Sequence, residues 1–373
     1  MRILFLCSFY HSAMIFRDLM NGLKNLGHDV KVFNAVAHGT RIEEKYRSIM
    51  DEHVVNKECF SKWERFFYFR KQKKIYEALI SAYDVSKYDL IHSHTLFNGG
   101  QVAWQINRNY RVPYIVSVRN TDLNVFLKVP MFGRVAEKIT KCAAGVHFLS
   151  LPYKESFIKK HIGEDQQAVL RGKSIVIGNG LEDFWLKNRV ARGRTCISCP
   201  IKILSVGTID KNKNSVATLK AVGKLRASGL EIKLTVVGRV IDKKVLDYLR
   251  AHEFVSIYDH LSREELLDFY RGHDIYVMPS IHESFGRVYA EAMTQGLPVI
   301  YSKGQGFDGI FEEGYVGYPV PSRDYNYIAD CILKIAKNYT AISQRCVRSS
   351  EIFDWNKISA EMDKFYRKSI RGK

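Results

Sequence analysis

What this sequence lacks narrows it before anything it contains. No stretch of the 373 residues approaches the ~20 consecutive apolar positions of a membrane-crossing helix, so none is expected. The opening residues Met1–Leu6 are too short and too soon polar for a signal peptide, and they read as a first β-strand. Cysteine is sparse and scattered. Of seven, only Cys196 and Cys199 form a CxxC, and no second pair or histidine pair completes a zinc set, so no metal site is expected. An odd count without a dense framework fits free thiols in a reducing compartment and a cytoplasmic protein. Long Lys/Arg tracts, nucleic-acid motifs, short repeats and low-complexity segments are missing too, which removes nucleic acid from the expected partners.

Acidic residues are also in deficit. There are 39 Asp and Glu against 57 Lys and Arg, a net charge of +18. Residues 1–190 hold 29 of the basic and 18 of the acidic residues, so both halves are basic and the first more so. Such a field favours anionic partners such as nucleotides or phospholipid surfaces. Apolar residues make up 46% of the chain, enough for two cores, and single cores stop growing near ~250–300 residues.

Apolar strands alternate with amphipathic helices, the pattern of parallel α/β architecture. Arg2–Leu6, a helix over Phe16–Leu26 and Val30–Phe33 make one βαβ unit. Further buried strands are expected at Leu90–His92, Tyr114–Val118 and Gly145–Leu149. After Pro200 the pattern restarts with Ile201–Val206, a helix over Val216–Ala227, Ile232–Val237, Val255–Tyr258, a helix from Ser262, Ile275–Met278, a helix from Ser284, and Pro298–Tyr301. The Arg-rich stretch Leu186–Cys199 has no apolar periodicity and is read as the linker. The expected domains are 1–190 and 191–350, with a last segment over 351–373. Two Rossmann-like halves suggest a cleft, and ligands of such sheets sit at the carboxyl ends of strands. The loops after Leu6, Val118, Val206 and Met278 are therefore the candidates.

The strongest chemical signal is the run from Pro279 to Ile300, PSIHESFGRVYAEAMTQGLPVI. A strand ends at Met278, a loop carries Glu283, and a helix is expected from Ser284 to about Gly296. Eight residues separate Glu283 from Glu291, which at ~100° per residue returns both carboxylates to one face. The helix start would offer the N–H groups of Ser284, Phe285 and Gly286 to a diphosphate. A carboxylate can accept from two neighbouring sugar hydroxyls. Taken singly, Glu283 reads as a helix-entry acid and Glu291 as an exposed helix residue. The Pro-Ser lead-in and the Gly-Leu-Pro-Val exit favour the paired reading.

This segment resembles the donor-binding signature of retaining GT-B glycosyltransferases of family 4, and the likeness runs through most of the chain. Leu26-Gly27-His28-Asp29-Val30 is similar to the family's first helix-to-strand turn, and Asp89–His94 to its Asp-x-Val-His-x-His strand. Val176–Leu181 is similar to the Asn-Gly turn closing its first domain. Leu204–Gly207 opens the second domain, and Phe353-Asp354-Trp355 leads into its last helix. The resemblance implies an α/β GT-B fold, two Rossmann-like domains facing across a cleft, with the C-terminal helix crossing back to the first.

It also implies roles. Glu283 would contact the donor sugar and Glu291 the ribose, with Ser284, Phe285 and Gly286 near sugar and phosphates. In the loop Gly207–Lys213, Thr208 stands where the family has Arg, and Lys213 aligns with its Lys, so Lys213 would neutralise the leaving diphosphate, with Lys211 able to share the task. Ser8–Ala13 replaces the usual Gly-Gly loop and places Ser12 on the acceptor side. Arg119 replaces a histidine near the donor sugar. It cannot act as a base, so it would position or stabilise charge, or pair with Asp122, the other polar candidate there. His92 and His94 are read as facing opposite sides of their strand, with His94 towards the ligand. The expected function is retaining sugar transfer from a UDP- or GDP-linked donor, without cofactor or metal, to a glycan or lipid-linked acceptor, in cell-envelope or surface polysaccharide synthesis. The rivals are a nucleotide-sugar-binding protein that has lost catalysis and an epimerase on the same fold.

One segment stands apart. Phe60, Trp63, Phe66, Phe67 and Phe69 precede Arg70, Lys71, Lys73 and Lys74. Trp63, Phe66 and Phe67 with these four cations are candidate contacts for an anionic membrane, which would make the protein peripheral on the cytoplasmic face. The alternative is a buried helix with a solvated basic end.

Overall fold

The computed structural model describes residues 1–371, which form two compact units. The first comprises residues 1–149, 153–179 and the C-terminal helix from Trp355. The second comprises 150–152 and 180–354. Each is built on its own parallel sheet.

In the first unit seven strands, β1 (Arg2–Leu6), β2 (Asp29–Ala37), β3 (Val54–Phe60), β4 (Leu90–Ser93), β5 (Tyr114–Val118), β6 (Gly145–Phe148) and β7 (Ser174–Val176), lie in the order β3-β2-β1-β4-β5-β6-β7. All pairings are parallel. The inner strands read as unbroken apolar runs because helices cover both faces. One face buries Leu4, Phe33, Ile91, Val116 and Val146. The other buries Ile3, Phe5, Val30, Leu90 and Ile115 beneath the helices Met14–Asn25 and Trp355–Arg371. The C-terminal helix thus completes the first core with Trp355, Ile358, Met362, Phe365 and Tyr366. A buried polar relay ties it down: Tyr366 Oη meets His92 Nδ1 at 2.6 Å, His92 Nε2 meets Ser117 Oγ at 2.8 Å, and Ser117 Oγ meets His147 Nδ1 at 2.8 Å. His147 Nε2 ends the chain on the Ile177 carbonyl at 2.8 Å. A network this deep is stabilising only because each member is satisfied.

The second sheet has six strands, β8 (Ile201–Val206), β9 (Ile232–Val237), β10 (Val255–Tyr258), β11 (Ile275–Val277), β12 (Val299–Ser302) and β13 (Gly317–Val320), in the order β10-β9-β8-β11-β12-β13. In both sheets the order reverses once, between β1 and β4 and between β8 and β11. Those are the switch points where open α/β sheets take ligands, at the carboxyl ends of the strands.

Two expectations shift. The stretch read as a linker, Leu186–Cys199, packs on the second unit. Val190 N–H donates to the Thr294 carbonyl at 3.1 Å, and Arg194 Nη2 donates to the carbonyls of Tyr270 and Arg271 at 2.8 and 2.9 Å. The chain changes unit at Asn179/Gly180, not near 190. The edge strands β3 and β13 carry no long apolar run, and periodicity passes them over. No helix among the described residues is long and apolar enough to cross a membrane.

Candidate active site

At the second switch point two loops are stitched together. The loop after β8 starts at Gly207, and the loop after β11 runs from Met278 to Gly286. Asn212 Nδ2 donates to the His282 carbonyl at 3.1 Å, while His282 N–H donates back to Asn212 Oδ1 at 3.0 Å. Ile281 N–H reaches the Asn212 carbonyl at 2.8 Å, and Asn214 Nδ2 the Pro279 carbonyl at 3.0 Å. Inside the first loop, Asp210 accepts from Thr208 Oγ1 at 2.6 Å and from Lys213 N–H at 2.8 Å, fixing the turn. Across the seam Lys213 Nζ lies 2.7 Å from Glu283 Oε2, with about a quarter and a tenth of the two side chains exposed. The structure therefore brings together Gly207, Thr208, Lys213 and Glu283.

The backbone of Glu283 is gripped as well. Its N–H donates to Gln305 Oε1 at 3.0 Å, and its carbonyl accepts from Gly306 N–H at 2.8 Å. A Cβ at position 306 would meet the Ser284 carbonyl carbon at 2.3 Å, so only glycine permits this approach. Asn212, Asn214, Gln305 and Gly306 were not singled out from the sequence. Side-chain amides bonding to loop backbone, and a glycine passing close to it, leave no periodic signal.

The helix after this loop spans Arg287–Thr294, one turn later than expected from Ser284. Gly286 caps it with φ = +79°, and a Cβ there would lie 2.3 Å from the Tyr289 ring. Ser284, Phe285 and Gly286 are loop residues, and the free helix N–H groups begin at Arg287. Glu283 and Glu291 therefore do not share a helix face through eight helical steps. Phe285 is buried against Phe307 and Phe353. Glu291, read singly as an exposed helix residue, is buried instead. Its Oε2 accepts from Tyr270 Oη at 3.2 Å. Burial pushes its carboxyl up to about 7, only partly offset by the Arg287 cation and the tyrosine hydroxyl.

In the first unit, Arg119 and Asp122 sit just beyond the carboxyl end of β5. Asp122 is fully buried and accepts three backbone N–H groups, from Leu96 at 3.0 Å, Phe97 at 3.1 Å and Arg119 at 2.9 Å. Burial lifts its carboxyl to about 6 in spite of these bonds. These bonds give Asp122 the task of clamping the loops after β4 and β5. Arg119 points elsewhere: Nε donates to the His94 carbonyl at 2.8 Å, and the guanidinium lies 4.8 Å from the Phe16 ring centre. Its side chain is part-buried beside the switch point. Ser12 is exposed in the loop after β1, with Oγ donating to the Phe9 carbonyl at 3.0 Å.

The histidine reading needs correction. Residues two apart on a strand share a face, and the rings of His92 and His94 lie side by side, tilted by 37° with centroids 4.1 Å apart. Both are fully buried, His94 against Phe5 and Phe16, and burial holds both well below the usual imidazole range. The His94 ring offers no open face to an acceptor.

The basic aromatic segment is also not one helix. A short 3-10 turn, Lys62–Phe66, precedes the helix Tyr68–Ala82. Lys71 turns inward: Nζ donates to Asn98 Oδ1 at 2.9 Å, lies 4.9 Å from the Phe60 ring centre, and is lowered to about 8 by burial. It is removed from the surface cations. Arg70 and Lys74 meet the buried Glu64 carboxylate at 3.1 and 2.8 Å, and Lys73 lies 3.8 Å from Glu77.

Comparison with known proteins bears on the family and the fold. Residues 198–351 match the model of glycosyl transferases group 1, and residues 12–172 match a glycosyl transferase 4-like domain. The chain is 24% identical to a D-inositol 3-phosphate glycosyltransferase of Streptomyces bingchenggensis, over 76% of this chain and 68% of that one. It is 22% identical to an alpha-monoglucosyldiacylglycerol synthase of Acholeplasma laidlawii, over 80% and 78%. Among solved structures, HepE from Anabaena in complex with UDP superposes with a TM-score of 0.70 at 16% identity, covering 98% of this chain and 99% of that one.

Proposed function

From the premise that the chain is a glycosyltransferase of the GT-B type, we propose that it moves a sugar from a nucleoside-diphosphate donor to a glycan or lipid-linked acceptor, with retention of configuration and without a metal. The observation that carries this reading is the Lys213–Glu283 pair, held on two interlocked loops at the switch point of the second sheet. A cation and a carboxylate 2.7 Å apart answer the two halves of such a donor. The ammonium suits the diphosphate, and the carboxylate suits the sugar hydroxyls and the positive charge that builds at the anomeric carbon. Glu291, seated on the following helix, would take the ribose hydroxyls. In this reading Lys213 takes the charge-neutralising part that a divalent cation could otherwise play.

In this scheme the acceptor attacks from the side the diphosphate leaves, and the leaving phosphate helps take the acceptor proton. The protein positions the reactants and stabilises charge. Arg119, beyond β5 of the first sheet, is a fixed cation for a ligand at that edge. The UDP bound by the Anabaena structure makes uridine donors the first to try. The test is a thermal-shift panel of UDP- and GDP-sugars, since a ligand at 100 times its Kd adds ~2.7 kcal/mol. NMR of the anomeric proton in the product then reads the stereochemistry. A protein that no nucleotide sugar stabilises, and that releases no nucleoside diphosphate, would sink the proposal.

A further inference from the structure

The first unit exposes an apolar surface assembled from two segments distant in sequence. Trp63, Phe67 and Phe69 are each more than half exposed, and Phe66 is 87% exposed. In the second segment Val125, Val129 and Met131 are about half exposed. An aromatic cluster makes the two neighbours. The Tyr68 ring, 5.1 Å from Phe69, is also 6.2 Å from Phe126 and 5.0 Å from Phe132. The first segment follows the end of β3 and the second follows the end of β5, so both lie at the carboxyl edge of the sheet, where Arg119 sits.

The surface is also built to stay open. Ser61 and Glu64 form a capping box that fixes the 3-10 turn. Trp63 packs edge-on to Phe67 at 5.6 Å, and Arg70 lies 5.3 Å from the Trp63 ring centre. The rings are therefore held outward rather than awaiting collapse. Single exposed apolar side chains are ordinary, but seven on two adjoining segments are not. Within the two segments, 62–74 and 125–134, the exposed charges have one sign. Lys62, Arg65, Lys128 and Arg134 are exposed, while Glu64, the acid inside the first segment, is buried under Arg70 and Lys74.

We propose that this surface docks on an anionic phospholipid bilayer, with Trp63, Phe66, Phe67 and Phe69 and the Val125–Met131 edge entering the interfacial zone together and the surrounding cations on the headgroups. Rings belong at the boundary between headgroup and acyl chain, and the cations, interleaved with the apolar side chains along both segments, are within reach of headgroup phosphates. The docking rests on the glycosyltransferase reading only in its consequence, that a lipid-linked acceptor would arrive at the carboxyl edge of the first sheet.

The experiment is flotation with vesicles of phosphatidylcholine, with and without 30% phosphatidylglycerol, using the full chain. The expected result is binding to the anionic vesicles that falls at least tenfold between ~50 and ~500 mM salt. Replacing Phe66 and Phe67 with Ser, and separately Val125 and Val129 with Asp, should each reduce binding at least tenfold, with melting temperature and nucleotide affinity unchanged. Equal binding to neutral vesicles, or no loss in the Val125→Asp/Val129→Asp variant, would overturn the two-segment surface. So would a concentration-dependent dimer that Phe66→Ser abolishes, because the occupant would then be a second copy. Wild-type protein that ignores vesicles yet binds a nucleotide sugar refutes the docking alone. Protein that floats but binds no nucleotide sugar refutes the donor assignment alone.

Discussion

Replacing Glu283 with Gln should move catalysis and product binding in opposite directions. Gln keeps the size and one acceptor oxygen but loses the charge. Without ligand, Glu283 occupies Lys213 at 2.7 Å, with both side chains largely buried. A bare nucleoside diphosphate has to compete for that ammonium. At an effective dielectric of ~20, two unit charges 4 Å apart attract by ~4 kcal/mol, and partial exposure and desolvation leave a net of about 1 kcal/mol. Freeing Lys213 should therefore tighten the bare diphosphate by up to about fivefold. Turnover should fall, because the carboxylate's contact with the sugar is strongest as positive charge builds at the anomeric carbon. Losing a charge-assisted contact of that kind costs ~2–4 kcal/mol, about 30- to 1,000-fold in rate. Lys213→Ala should weaken the diphosphate, and the double variant should show no gain from Glu283→Gln, which is the coupling read by a double-mutant cycle. Calorimetry of the diphosphate and initial rates of transfer measure both arms. Normal turnover in Glu283→Gln would refute the reasoning. A diphosphate affinity that drops tenfold in that variant would show that the carboxylate holds the nucleotide, not the sugar.

Three further outcomes are expected. Transfer should survive exhaustive chelation, and a complete loss in EDTA restored by manganese would contradict the metal-free proposal. Glu291 has a folded-state pKa raised to about 7, above its ordinary 4.5, so its contribution to stability is whole below pH 4.5 and is lost as pH rises through 7. Glu291→Gln should accordingly raise the melting temperature of ligand-free protein at pH 8, by the equivalent of about 1–3 kcal/mol, leave it nearly unchanged at pH 5, and still weaken nucleoside diphosphate binding. Tyr366→Phe removes the partner of His92 Nδ1 and should cost about 1–3 kcal/mol in the first unit, seen by denaturant unfolding. The imidazoles of His92 and His147 are held below their ordinary 6.5 by burial, His147 at about 4, so that unit should also lose stability as pH falls from 6.5 towards 4.

The alternation of apolar strands and amphipathic helices was legible in the sequence because parallel strands are buried on both faces. β8 and β9 are therefore unmistakable runs, and their bounds coincide with those read from the residues. The Pro279–Ile300 segment was legible for a similar local reason, since a strand, a polar loop and a helix follow one another without a gap. Where long-range contacts decide, the sequence was silent or misleading. The start of the helix at Arg287 is set by Gly286 in the left-handed region and by Gly306 passing against Ser284, twenty-two residues away. The pairing of Lys213 with Glu283 depends on Asn212 and His282 joining two loops seventy residues apart. Lys71 belongs with surface cations by position and lies in the core, because Asn98 and the Phe60 ring meet it there. Glu291 becomes a buried acid only beneath Tyr270. Periodicity records which face of an element is buried, and so it determined the two-sheet α/β layout. It does not record which side chain another element brings to that face, and that is what decides the charge state and reach of Glu291, Lys71, His94 and Asp122.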